Sequence, residues 1–221
     1  MITSKQNIVF FDVDNTLFDG YTQQYFVRFL KHKKKLDAIH TLVGAAWFAF
    51  YKLRIIKTEA WGINMLLSRL KGMSREQYDA LFDQFFADIV LPKLYPAAMA
   101  QIKKHKQDGA RVLLLSTSLD PIIRRIAQHV GADQYVATKV GFIDDRCVGK
   151  IDGRAVSGIH KYQWAKKYLS ENEGFENVHV YADHFTDYPL LKIAHVGYVI
   201  NPNFIEKIIA RLNQLRVLNF G

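Results

Sequence analysis

The sequence predicts an α/β protein in which an α-helical bundle is inserted into a Rossmann-like core built on a parallel sheet. A short apolar run at residues 8–11 is typical of a buried central strand, and it ends at two aspartates. From residue 21 to about residue 90 the apolar spacing is helical, with no convincing strand. From Pro92 onward apolar strands alternate with helices, which is typical of a parallel sheet covered on both faces.

Composition limits the classes of protein that the chain can be. Its 221 residues are 49% hydrophobic, which is enough for a substantial core in one or two domains. Thirty basic residues against twenty-one acidic ones leave a net charge of +9, which favours an anionic substrate, nucleic acid or an acidic membrane surface. Cys147 is the only cysteine, so an internal disulfide and a cysteine-based zinc site are excluded. The first apolar run is too short for a signal peptide, and we expect a cytoplasmic protein.

Two helices are predicted in the first half of the insertion. The first covers residues 21–29 and is followed by a basic run at residues 31–35. The second covers residues 42–51, which carry no charge but fall well short of the ~20 apolar residues of a bilayer crossing. We therefore expect a buried helix there. An interfacial helix is the alternative, because Trp47 and Phe48 have basic residues near them in the sequence.

Two further helices complete a predicted four-helix bundle. Thr58 is the expected N-cap of a helix that runs to residue 70. Ser74 and Gln77 have the spacing of a capping box, which predicts a fourth helix toward residue 89. The insertion is thus predicted to be a helical cap.

The domain boundaries follow from these patterns. The core is predicted to comprise residues 1–18 and 92–221, and the cap residues 19–91. A β-hairpin is expected over residues 142–155, with its turn at Asp152 and Gly153. The other core strands are expected at residues 111–115, 135–138, 178–182 and 198–200, and the core helices at residues 96–108, 121–130 and 157–169.

Polar side chains stand where the predicted strands end, and ligands of parallel sheets bind beyond those ends. Two carboxylates brought together there imply either a shared proton or a hard cation, for which magnesium is the default. Carboxylates, one hydroxyl and one lysine at these positions match the needs of phosphoryl transfer. The residues are Asp12, Asp14, Ser116, Lys161, Asp183 and Asp187.

Each of these residues also has an ordinary structural interpretation. Aspartates are common where a strand gives way to a turn, Ser116 can cap a helix, and Lys161 can be one of many solvated lysines. Their joint occurrence at predicted strand ends, or at a helix start beside one, favours a functional site.

The same residues resemble the motifs of haloacid dehalogenase-type (HAD) phosphohydrolases. The run Asp-Val-Asp-Asn-Thr at residues 12–16 is similar to the first motif of the family, and Leu-Leu-Leu-Ser at residues 113–116 to the second. Lys161 is similar to the third motif, and Asp183 with Asp187 to the fourth. The continuation Asp-Tyr-Pro-Leu-Leu, the run Val-Ile-Asn-Pro-Asn and the helical cap after the first motif (C1 type) resemble subfamily IB, the phosphoserine-phosphatase-like members.

This resemblance implies a role for each site residue. Asp12 would be the nucleophile and Asp14 the general acid and base, while Ser116 and Lys161 would bind the phosphoryl oxygens. Magnesium would be held by the Asp12 carboxylate, the Asp14 backbone carbonyl and Asp183. Asp187, Thr16 and Thr117 would support the site. The family usually has Gly-Asp-Ser in the fourth motif, so Ala-Asp-His at residues 182–184 leaves the hydrogen bonding of Asp183 and the role of His184 open.

A small phosphorylated metabolite is the expected substrate. Phosphoserine enzymes of the subfamily carry an acidic residue soon after the first motif, where this chain has Tyr21, although Asp19 is close by. Phosphoserine is therefore less favoured than another phosphomonoester. The basic and aromatic cap, with Lys31, Trp47 and Trp61, also resembles lipid-phosphate phosphatases that act on phosphatidylglycerophosphate, and it implies peripheral contact with an anionic membrane.

Two other classes of function remain as alternatives. A receiver-type signalling domain also gathers carboxylates, a hydroxyl and a lysine at strand ends, but the long helical insertion argues against it. Nucleic-acid binding would use the positive charge, yet no recognition motif or base-stacking signature accompanies that charge, so no nucleic-acid partner is predicted. The sequence leaves the oligomeric state open.

Overall fold

The computed structural model describes residues 6–35, 59–172 and 175–221. The strands within them are β1 (Gln6–Phe11), β2 (Arg111–Leu119), β3 (Gln134–Thr138), β4 (Val140–Ile143), β5 (Arg146–Ile151), β6 (Phe175–Ala182), β7 (Val196–Ile200) and β8 (Arg216–Leu218). The α-helices are α1 (Thr22–His32), α2 (Glu59–Leu67), α3 (Arg75–Phe85), α4 (Pro96–Gln107), α5 (Asp120–Val130), α6 (Gly158–Glu171), α7 (Tyr188–Leu191) and α8 (Phe204–Leu212).

Six parallel strands form the main sheet, in the order β3-β2-β1-β6-β7-β8. β1 lies in the interior between β2 and β6, as its uninterrupted apolar sequence predicts. The strand order reverses at β1, since the next strands of the chain lie on one side of it and the later ones on the other. This reversal opens a crevice at the carboxyl end of β1. The predicted Rossmann-like α/β class is confirmed.

An aromatic stack fixes the register of the central strands just before the crevice. Phe11 of β1 lies opposite Tyr181 of β6, and Tyr181 lies opposite Tyr198 of β7. The ring centroids are 4.1 and 4.3 Å apart, and both pairs of rings are nearly parallel. The Nε2 atom of His105, a residue of α4, lies 2.8 Å from the hydroxyl oxygen of Tyr181. The strand ends that carry the polar residues are therefore aligned by packing directly beneath them.

The chain leaves and re-enters the core at one point. Phe18 pairs with Leu94, and the Tyr95 N–H donates to the Leu17 carbonyl at 2.9 Å. The Asp19 N–H donates to the Lys93 carbonyl at the same distance. These contacts support a boundary between core and cap near residues 18 and 92, which remains a prediction.

The described part of the cap is helical and has an aromatic core. Phe26 and Phe29 of α1 pack against Phe82 and Phe85 of α3, with ring centroids 4.6 Å apart for Phe26 and Phe82. The capping box at the start of α3 is confirmed, because Ser74 and Gln77 each accept the other's backbone N–H at 3.2 Å. The predicted helix at residues 42–51 and the Thr58 cap lie outside the described residues.

A hairpin was predicted here, but the predicted position of its turn was wrong. β4 and β5 are joined at Asp144 and Asp145, whose φ angles are 46° and 56°, whereas Asp152 and Gly153 follow β5. Two left-handed residues match the twist of a tight hairpin, and aspartate tolerates that conformation because its short side chain bonds the local backbone. The hairpin also contacts the inserted helices, since the Gly72 N–H donates to the Cys147 carbonyl at 2.8 Å.

Two elements near the C-terminal end were not predicted from the sequence. α8 begins with a capping box in which Asn203 and Glu206 each accept the other's backbone N–H at 2.9 Å. β8 adds a sixth strand at the sheet edge beside β7. β2 is also longer than expected, because it continues past residue 115 to Leu119. Ser116 therefore lies within the strand and not in a following turn.

Candidate active site

The central contact of the crevice joins three elements through one lysine. Asp12 directly follows β1, Lys161 lies in the first turn of α6, and Asp187 lies in the short helical turn after β6. Lys161 Nζ donates to Asp12 Oδ1 at 2.7 Å and to Asp187 Oδ2 at 2.7 Å. All three side chains are buried. Residues far apart in sequence are thus held in direct contact, as the prediction requires.

Charge and burial oppose each other in this cluster. Burial raises the pKa of Asp12 well above its ordinary value, and Asp187 and Asp183 raise it further, while Lys161 acts in the opposite direction. Burial lowers the pKa of Lys161, but the attraction of Asp12 and Asp187 is stronger and raises it overall. Lys161 therefore stays charged, and its charge does not fully balance the surrounding carboxylates.

Asp14 is held by a second group of contacts. Its Oδ1 accepts the Thr22 N–H at 2.7 Å, and its Oδ2 accepts the Ser118 hydroxyl at 2.8 Å. Because the single Ser118 proton points at Asp14, Thr22 Oγ1 must donate to Ser118 Oγ, which lies 2.5 Å away. Ser116 Oγ accepts the Ser118 N–H at 3.1 Å. Burial raises the pKa of Asp14, and the bonds from Thr22 and Ser118 counteract that rise.

Asp183 faces the same crevice from the end of β6. Its Oδ2 accepts the side-chain amide of Asn15 at 3.1 Å. Asn15 has a φ of 54°, and its carbonyl accepts the side-chain amide of Asn201 at 3.2 Å. Burial raises the pKa of Asp183 to about 7, with further contributions from Asp187 and Asp14. His184 is directed to the local turn, where its Nδ1 accepts the Thr186 N–H at 3.2 Å. Asn15 therefore hydrogen-bonds Asp183, whereas His184 hydrogen-bonds within its own turn.

Two predicted supporting residues have little contact with the site through their side chains. Thr16 is fully buried in the loop after β1, and within the described residues its hydroxyl has no hydrogen-bond partner. Thr117 contributes its backbone carbonyl, which accepts the Thr138 hydroxyl at 2.8 Å. Their support of the site remains a prediction.

Several residues that hold the site were not singled out from the sequence: Asn15, Thr22, Ser118 and Asn201. The sequence could have indicated Ser118 as a site residue, because residues two apart in a strand share a face and Ser116 was already a candidate. Thr22 and Asn201 come from separate elements, and no local pattern connects them with Asp14 or Asn15.

A parallel sheet with a helical insertion, and carboxylates gathered around a lysine at its crevice, define a phosphoryl-transfer type of hydrolase. The sequence model of haloacid dehalogenase-like hydrolases matches residues 9–192. The chain belongs to the haloacid dehalogenase-like hydrolase family. The prediction of an enzyme of the phosphatase class, with a likeness to phosphoserine phosphatases, is confirmed.

Individual relatives agree with this assignment. The chain is 24% identical to the phosphoserine phosphatase SerB1 of Mycobacterium tuberculosis over 216 residues, which cover 96% of this chain and 70% of that protein. It is 23% identical to the histidinol-phosphatase of Neisseria meningitidis over 221 residues, covering 97% of this chain and 99% of that protein. A solved phosphoserine phosphatase, a phospho-aspartyl intermediate analogue, shares the fold with a TM-score of 0.69 and 17% identity, covering 98% and 94% of the two chains.

Phosphatases of this family use a divalent metal ion, and the residues of the crevice fit one. Asp187 Oδ1 is buried and, among the described residues, has no hydrogen-bond partner. Burial raises the pKa of Asp12 and Asp183, and neighbouring carboxylates raise it further, so a bound cation would stabilise their charged forms. The described residues contain no group of three or more histidine, cysteine, aspartate or glutamate side chains arranged to hold a metal. Two carboxylates with a backbone carbonyl suit a hard cation that keeps several waters.

The buried lysine is expected to matter for stability as well as for chemistry. Replacing it in Lys161→Met leaves two buried carboxylates without their cation, so the free energy of unfolding should fall by about 3–5 kcal/mol. Urea unfolding in EDTA measures this, because no divalent ion then compensates the carboxylates.

The matched control is Lys167→Met on the same helix, where the exposed lysine pairs with Glu171 at 3.7 Å. Its effect should be below about 0.5 kcal/mol. Equal effects of the two substitutions would contradict the contacts described for Lys161.

Proposed function

We propose that the chain is a magnesium-dependent phosphomonoester hydrolase that acts on a small phosphorylated metabolite through an aspartyl-phosphate at Asp12. The observation that carries the proposal is the contact of Lys161 with both Asp12 and Asp187 at 2.7 Å, in a crevice that Asp14 and Asp183 also face. A carboxylate held beside a fixed cation is what attack on an anionic phosphoryl group requires.

In the first step Asp12 attacks phosphorus in line with the ester oxygen. Lys161 occupies Oδ1, so we assign the attack to Oδ2. A bond forms between Asp12 and phosphorus, and the bond from phosphorus to the ester oxygen breaks. Protonated Asp14 gives its proton to the departing alkoxide, which leaves as an alcohol.

In the second step water attacks the aspartyl-phosphate. Asp14, now ionised, takes a proton from that water, and the bond between phosphorus and Asp12 breaks to release inorganic phosphate. Asp14 ends protonated and Asp12 ends as a free carboxylate, so the cycle closes. One group thus performs both proton transfers, which requires that it keep its position through both steps.

Fixed positive charge and hydrogen-bond donors would bind the other phosphoryl oxygens. Lys161 and the Ser116 hydroxyl are the proposed donors, and Asp187 holds Lys161 in place. Magnesium, held by the Asp12 carboxylate, the Asp14 carbonyl and Asp183, would neutralise phosphoryl oxygens. Thr16 and Thr117 are proposed to order the loops around the site.

The names of relatives and the contacts of Asp19 support the proposed substrate class. The names of two relatives point to phosphoserine and histidinol phosphate, both monoesters of small amino alcohols. Phosphoserine enzymes of the subfamily bind the substrate amine with an acidic residue soon after the first motif, and Asp19 is the acidic residue nearest that position in the sequence. Asp19 already accepts a hydrogen bond from the Tyr95 hydroxyl at 3.2 Å and pairs with Lys93 at 3.5 Å. Burial raises the pKa of the Tyr21 hydroxyl, and the charge of nearby Asp183 raises it further. These contacts favour a monoester whose recognition does not depend on an ammonium group.

The alternatives differ in their support. The family match is to hydrolases, which argues against a receiver-type signalling domain. The lipid-phosphate alternative rested partly on residues 42–51, which lie outside the described residues, and it stays a prediction. No helix of the described residues is long and apolar enough to cross a bilayer.

The proposed nucleophile can be tested directly. Asp12→Asn removes the attacking charge with little change in shape, so kcat on a generic aryl phosphate with magnesium should fall at least ~10³-fold. The control Asp152→Asn changes an exposed aspartate after β5 and should keep full activity. Magnesium-dependent turnover that survives in Asp12→Asn would remove the assignment.

Ser118 is expected to act as a positioning residue for Asp14. Ser118→Ala removes the hydroxyl that bonds Asp14 Oδ2, so kcat should fall about 10-fold while KM changes less than about 2-fold. Ser118→Thr keeps a hydroxyl and should restore part of kcat. Ser170→Ala removes an exposed serine hydroxyl on α6 and serves as the control. A rise in KM without loss of kcat would contradict a positioning role.

A further inference from the structure

Helix α8 turns an apolar face toward solvent. Four of its side chains are exposed: Phe204 is 78% exposed, Ile205 67%, Ile208 46% and Leu212 76%. At about 100° per residue, these four positions fall on one arc of roughly 100° around the helix. We call this set the α8 face. On the opposite side of the helix, Ala210 is buried against the sheet.

The α8 face is unusual within the described chain. Nine large hydrophobic residues are exposed among all the described residues, and four of the nine form the α8 face. The others include Trp61, Ile143 and Ile159, which lie on separate elements. Single exposed apolar residues need no explanation, whereas a cluster on one helix marks an interaction surface.

The charges next to the α8 face are positive. Lys207 and Arg211 are exposed and fall beside the apolar arc, and Arg216 of β8 is exposed as well. The one acidic residue of α8, Glu206, is only partly exposed and bonds the Asn203 N–H in the capping box. Phenylalanine, isoleucine and leucine flanked by lysine and arginine are the side chains of helices that lie in a lipid interface.

We propose that the α8 face docks onto the surface of an anionic lipid bilayer. The apolar side chains would enter the boundary between headgroups and acyl chains, while Lys207 and Arg211 would contact anionic headgroups. A second copy of the chain fits this face less well. Four apolar residues are few against the roughly 20–30 residues a side of a stable protein interface.

The buried side of α8 lies beside the end of β6, where Asp183 faces the crevice. α8 starts soon after β7 ends, at the edge of the sheet that carries the site. Glu206 and Ile209 of α8, together with Asp183 and His184, line a small cavity of about 20 Å³. The proposal concerns binding alone and does not depend on the proposed phosphatase chemistry, so the two can fail separately.

Co-sedimentation of the full chain with vesicles tests the proposal. The probes are vesicles of phosphatidylglycerol and phosphatidylcholine, compared with phosphatidylcholine alone, at low and high salt. The wild-type chain should bind the anionic vesicles, and salt should weaken that binding. Ile208→Ser with Leu212→Ser, and separately Lys207→Gln with Arg211→Gln, should each weaken it at least ~10-fold.

Two matched controls separate the α8 face from other surfaces. Ile143→Ser removes an exposed isoleucine of the hairpin, and Lys33→Gln with Lys34→Gln removes positive charge from the cap; each should change binding less than about 2-fold. Circular dichroism checks that every variant is folded. The proposal is overturned if the wild-type chain ignores anionic vesicles, or if only the cap variant loses binding. Lipid-free dimerisation that disappears in Leu212→Ser would also overturn it and assign the face to a second copy.

Discussion

The arrangement of the crevice depends on one buried cation shared by two carboxylates. Lys161 bonds Asp12 and Asp187 at 2.7 Å each, and in doing so it joins the end of β1, the start of α6 and the turn after β6. Such a cluster is costly to bury and stabilises a protein only if every charge has its partner. Burial and neighbouring carboxylates raise the pKa of Asp12 and Asp183, and a divalent cation, as phosphatases of the haloacid dehalogenase-like family use, would stabilise their charged forms.

The other parts of the core hold the contact between Lys161 and its two carboxylates in place. The reversal of strand order at β1 opens the crevice, and the stack of Phe11, Tyr181 and Tyr198 sets the register of the strands beneath it. On the other side, Thr22 and Ser118 hold Asp14 through two hydrogen bonds, and a third joins Thr22 to Ser118. Thr22 is the first residue of α1, the first helix of the cap. Asp14, the proposed acid and base, is therefore hydrogen-bonded to the element that would bind substrate.

Sequence alone predicts the core well because its signals are local. The apolar run before Asp12 lies within a few residues, the alternation after Pro92 consists of such short runs, and both are confirmed. In the cap, the capping box at Ser74 is equally local and is confirmed as well. The hairpin turn was misplaced because Asp144–Asp145 and Asp152–Gly153 both suit a turn, and strand pairing decides between them. Thr22 and Asn201 act through contacts between separate elements, with Asp14 and Asn15, and no local pattern indicates these contacts. The apolar face of α8 looks like core in sequence, and only its exposure in the fold distinguishes it.

The proposed mechanism requires that Asp12 becomes covalently phosphorylated during turnover. Acid quenching in the steady state, reduction of the acyl phosphate with borohydride and peptide mass spectrometry would measure this, because reduction converts a phosphorylated aspartate to homoserine. Homoserine is expected at position 12 and unchanged aspartate at positions 14, 183 and 187. Turnover with homoserine at another of these positions, or with none at position 12 under conditions where hydrolysis of the aspartyl-phosphate is limiting, would contradict the mechanism.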